Sequence, residues 1–119
     1  MSASADEKAT GGFTPEEERL HDAGFAAIRD GLAAGLTFDK ACEGIAVADA
    51  DLRRIVIDDF LKVTIAQRNF QGGESTSDIA ASLGISVERV EFARREMLAE
   101  VAAASVEVFR RQGGQVPDA

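Results

Sequence analysis

At 119 residues the chain is long enough for one domain of modest core, and with 45% hydrophobic residues and two prolines most of it is expected to fold. No apolar run reaches the ~18 residues of a membrane helix, the small, polar, acidic start at residues 1–12 is not a secretory signal, and the single cysteine, Cys42, excludes an intrachain disulfide, so a cytoplasmic protein is expected. The net charge of −8 argues against unspecific nucleic-acid binding, although half of it sits in residues 1–35, where Lys8, Arg19 and Arg29 face seven acids.

Alanine is abundant, Trp and Tyr are absent, and no stretch alternates as a strand would, so the expected fold is all-α: a small bundle of about five helices. Residues 1–12 lack any apolar period and are expected to be a disordered tail ahead of a helical domain at 13–112. Thr14, Pro15 and Glu17 form a capping-box start for a first helix, with Leu20, Ala27, Ile28 and Leu32 at helical spacing and an end near Gly35. Thr37 caps a short second helix reaching about Ile45. A third runs from about Ala50 to Phe70, apolar on more than one face and therefore central, until Gly72-Gly73 stops it. Ser75 with Asp78 opens a fourth, Gly84 breaks it near Leu83, and Ser86 caps a last helix to about Gln112, with a frayed tail at 113–119.

Residues 75–93, STSDIAASLGISVERVEFA, resemble the helix-turn-helix of bacterial transcription factors, in the form found in sigma factor region 4 and response-regulator output domains. Ala80 must be small where the second helix crosses, Gly84 supplies a left-handed turn, and Ile79, Leu83, Ile85 and Val90 wedge the helices together. The second unit spans 75–95. A shift of 38 residues brings a weaker copy, 37–57, into register: Thr37 aligns with Ser75, Cys42 with Ala80, Ile45 with Leu83 and Leu52 with Val90. That copy departs at Ala46, where the turn prefers glycine, and at Ala48, which cannot cap, although Asp49 could cap one position later. An ordinary helical hairpin accounts for it equally well.

The resemblance implies a sequence-specific binder of double-stranded DNA, a bacterial, phage or mobile-element transcriptional regulator that puts the helix after Ser86 into the major groove. Arg89 is then the candidate for bidentate contact to guanine, Val87 for a thymine methyl, Arg94 and Arg95 for phosphates, and Ser75 and Thr76 for phosphate contacts from the preceding helix. Glu88 could accept from cytosine or merely repel the backbone, and Glu91 is spaced to pair with Arg95. In the first unit only Arg53 and Arg54 suit DNA, behind two aspartates, so packing or protein contact is its expected role. The alternative is a helical adaptor for RNA polymerase, a sigma factor or another regulator, which the acidic surface would suit. The last helix carries more apolar residues than one such unit covers, and a homodimer is expected.

No enzyme and no cofactor are expected. No metal-ligand spacing or nucleotide loop occurs, His21 reads as an ordinary surface histidine, and Cys42 fills a position that demands a small residue. Asp58 and Asp59 are adjacent on a helix and so point ~100° apart.

Overall fold

Thr14 begins the first helix by a reciprocal capping box: its Oγ1 accepts from the Glu17 amide at 3.1 Å, and Glu17 Oε1 accepts from the Thr14 amide at 3.0 Å. The computed structural model describes residues 13–111, which form five α-helices. They are α1 (Pro15–Ala33), α2 (Phe38–Glu43), α3 (Ala50–Ile65), α4 (Thr76–Leu83) and α5 (Val87–Arg111). Both expected tails lie outside the described residues. The fold is all-α, and no described helix is long and apolar enough to cross a membrane.

As its multi-faced apolar pattern requires, α3 is the central element, packed against α1 and α5. Leu52, Val56, Leu61 and Ile65 are its buried residues. Ile28, Phe38, Val56, Ile65, Ile79 and Val90 are the largest fully buried side chains. Each contributes roughly 1.5–3 kcal/mol through removal from water. Two glycines inside α1 let it approach its neighbours closely. A Cβ on Gly24 would stand 2.8 Å from Val56 Cγ1, and one on Gly31 2.7 Å from the Ala41 Cβ.

The third helix differs from expectation at its end. After Ile65 the backbone widens into a π-helical turn, Ala66–Gln71, in place of α-helix to Phe70. Side chains close this turn on the residue that follows the two glycines. The Arg68 guanidinium grips the Glu74 carboxylate through two bonds of 2.8 and 2.6 Å, and Asn69 Nδ2 donates to the Glu74 carbonyl at 2.8 Å. This pairing holds the Glu74 carboxyl below the usual glutamate range.

Lys62 ties α3 to α5. Its ammonium, on a side chain only 14% exposed, lies 3.0 Å from Asp58, 3.6 Å from Glu96 and 2.8 Å from Glu100. Burial opposes its charge, but the hydrogen bonds to Glu100 and Asp58 more than offset that, and its pKa lies above the ordinary lysine range. Residues 54–61 of α3 and 89–96 of α5 line one groove along this contact.

Cys42 is buried as its position in α2 requires. Burial, with Asp39 adding to it, pushes the thiol from 9.0 up to about 11. At pH 8 its thiolate fraction should therefore be about a hundredfold below that of the unfolded chain. Native protein should accordingly resist iodoacetamide at least that strongly. Equal alkylation rates with and without denaturant would contradict this burial.

Candidate nucleic-acid interface

Helix α4 starts on Ser75, whose hydroxyl accepts from the Asp78 amide at 3.0 Å, and ends in a left-handed Gly84 at φ +70°. The Ile85 amide reaches back to the Ala80 carbonyl at 3.1 Å and the Gly84 amide to Ala81 at 3.3 Å, the paired bonds of a Schellman ending. After a turn of three residues, 84–86, α5 begins at Val87, with the Ser86 hydroxyl accepting from the Arg89 amide at 3.1 Å. Ile79, Ala80, Leu83 and Val90 are all buried at the crossing of α4 and α5. Residues 75–95 thus hold two helices joined by a tight, glycine-closed turn and packed across each other.

The first unit is built differently. Between the end of α2 at Glu43 and the start of α3 at Ala50 lies a connection of residues 44–49, longer than the three-residue turn of the second unit. Ala46 carries a Cβ, and no non-glycine residue has positive φ among the described residues. The chain instead takes a wider path, capped by Asp49 Oδ1, which accepts from the Asp51 and Leu52 amides at 2.9 and 3.1 Å. Arg53 fills this path, donating to the Cys42 carbonyl at 3.0 Å and the Ile45 carbonyl at 3.1 Å. It is a structural clamp here, and Arg54 pairs with Asp51 at 3.3 Å.

The expected reading residues of α5 sit in three kinds of surroundings. Arg89 lies over the Phe38 ring, 5.3 Å from its centroid, and pairs with Asp39 at 2.8 Å, so α2 of the first unit holds it. Arg94 donates from Nε to Asn69 Oδ1 at 2.9 Å and covers the Phe70 ring at 5.1 Å. Arg95 is exposed and makes no ion pair among the described residues. Val87 is partly buried against the core, so most of its surface goes to packing, whereas Glu88 is exposed. Glu91 accepts from the Thr76 hydroxyl at 3.1 Å, where the sequence suggested a pair with Arg95. A groove of about 400 Å³ collects Asn69, Thr76, Glu91, Arg94 and Arg95 where α4 begins. Its base, Asn69, belongs to the π-helical turn and was not foreseen.

His21 also departs from expectation. It is half-buried between Phe13 and Phe25, with ring centroids 5.4 and 4.5 Å away, and Nε2 lies 3.0 Å from Asp59 Oδ2. The neighbouring carboxylates thus diverge, Asp58 to Lys62 and Asp59 to His21, as adjacent helix positions must. No family model, curated protein or solved structure matches this chain.

Proposed function

We propose that the protein is a sequence-specific DNA-binding regulator that inserts the N-terminal half of α5 into the major groove. The observation that carries this reading is the Gly84 turn with its Ser86-capped helix, because it presents the start of α5 outward while the opposite face is wedged on α4. Arg89 is the reader. Its contact with Asp39 is a pair between exposed side chains, worth at most ~1 kcal/mol. A bidentate guanine contact is worth about 1–3 kcal/mol, so DNA outcompetes Asp39 for this guanidinium. Arg95 and the outward N–H groups of Arg94 are the phosphate contacts.

The test is competition binding of the full chain against a pool of duplex fragments over a range of salt. Arg89→Ala should lose site preference by about 1–3 kcal/mol, because a base contact goes. Arg95→Ala should weaken specific and unspecific binding alike and flatten the salt slope by about one unit. Asp39→Asn should tighten specific binding, since it frees Arg89. Wild-type behaviour of all three variants on a selected site would overturn the proposal.

One observation favours the adaptor reading. Phe92 is 55% exposed, and with Arg54, Ile55, Asp58 and Glu96 it lines a groove of about 330 Å³ between α3 and α5. An aromatic anchor ringed by charge suits a protein partner such as RNA polymerase, a sigma factor or another regulator. Under this reading no duplex is retained at low salt, and Phe92→Ala abolishes binding to purified polymerase holoenzyme.

A further inference from the structure

The 25 residues of α5 extend about 37 Å at ~1.5 Å per residue, and the rest of the fold covers only its first half. From Val101 to Arg111 every residue except Phe109 is exposed. Val101 (62% exposed), Ala104, Ser105, Val108 and Phe109 share one side of this extension. At its root, Val101 and Ala104 also wall a groove of about 530 Å³ between α1, α3 and α5, whose apolar lining includes Phe25, Val63 and Met97. The groove and the helix side are therefore one continuous apolar strip. Along it Met97, Val101, Ala104 and Val108 recur at intervals of four, three and four, the spacing of a two-helix seam. Valine and phenylalanine are poor helix formers, so a helix end rich in them needs a covering surface.

We propose that a second copy of the chain covers this strip, its α5 lying antiparallel about a twofold axis that passes between Ala104 and Ser105. The small residues at the axis allow close approach, and Val101 of each copy then faces Val108 of the other. In this register Phe109 of one copy stands opposite residue 100 of its partner, at the mouth of the apolar groove. Charge selects the sense of pairing. Toward one end of the strip Glu96 and Glu100 outnumber the Lys62 that pairs with them, and at the other Arg110 and Arg111 outnumber the Glu107 that pairs with them. A parallel pair would stack like on like, whereas the antiparallel pair sets the acidic end against the basic end. The chain's own residues 1–12 and 112–119 hold only Met1 and Val116 as large aliphatic side chains, too few to fill the strip. This pairing does not depend on whether α5 reads DNA.

Sedimentation equilibrium of the full chain from about 5 to 200 µM should approach twice the 12.6 kDa chain mass. Val101→Glu, an exposed position, should return the mass to that of one chain while keeping the far-UV helical signal. The sense of pairing is read by mixing Val101→Cys and Val108→Cys chains under mild oxidation, Cys42 being buried. The mixture should form a disulfide-linked dimer that neither variant forms alone. A single-chain mass throughout the range, a Val101→Glu variant that stays dimeric, or Val101→Cys chains that link to themselves would each overturn the proposal.

Discussion

Phe38→Ala is expected to lower stability by about 3–5 kcal/mol, read as a fall in the urea midpoint with little change in slope. Phe38 is fully buried, lies 6.1 Å from the Phe60 ring and carries the Arg89 guanidinium over its own ring. Alanine would leave a void at the point where α2, α3 and α5 meet, and the backbone there is fixed by the Thr37 and Asp49 caps, so little collapse can follow. Phe38→Leu keeps most of the volume and should cost less than half as much. A loss below about 1 kcal/mol for the alanine variant would mean that this ring is not where the first unit is anchored.

Gly84→Ala should cost roughly 2–4 kcal/mol through two separable causes. The first is conformational: at φ +70° any Cβ is strained. The second is steric, because that Cβ would stand 2.7 Å from Thr37 Cγ2 and 3.1 Å from Thr37 Cβ. Thr37→Ser removes the Cγ2 methyl and keeps the hydroxyl that accepts from the Lys40 amide at 3.2 Å. The double variant Thr37→Ser/Gly84→Ala should therefore recover part of the loss and leave the conformational share. Thermal melts of the four proteins give the coupling directly. Purely additive losses would rule out contact between Thr37 and the Gly84 turn.

That contact illustrates what the sequence could and could not convey. Local signals were legible because their partners lie within one helical turn: Thr14 with Glu17, Ser75 with the Asp78 amide, Ser86 with the Arg89 amide. The turn at Gly84 was legible for the same reason, since only glycine takes that conformation without strain. Contacts between units were not. Asp39 and Arg89 are 50 positions apart, and nothing in either neighbourhood marks the other. His21 looked exposed because its own helix turn is acidic, yet Asp59, 38 residues on, and two phenylalanines enclose it. The packing role of Gly24 and Gly31 was not legible, because the Val56 and Ala41 side chains that need their space come from other elements. The surroundings of the residues proposed to read DNA were the least legible. A helical register fixes which way Arg89 and Arg94 point, but the rings beneath them, Phe38 and Phe70, belong to other segments. For the same reason the widening of the backbone at Ala66–Gln71 was invisible, being set by Arg68, Asn69 and Glu74 acting together across a turn.

The Gly72-Gly73 pair, taken alone, would be a swivel on which the two halves of the chain reorient independently. The fork between Arg68 and Glu74 bridges that pair, and Asn69 spans from the Glu74 carbonyl on one side to the Arg94 guanidinium on the other. The joint behaves as a weld, and the molecule tumbles as one particle. Amide nitrogens of α2 and of α4 should then report the same rotational correlation time in ¹⁵N relaxation. A residue inserted between Gly73 and Glu74 would slip this joint out of register rather than lengthen a tether, so Asn69 would lose Arg94 while the shared core and the Lys62 pairs still hold the two halves to one correlation time.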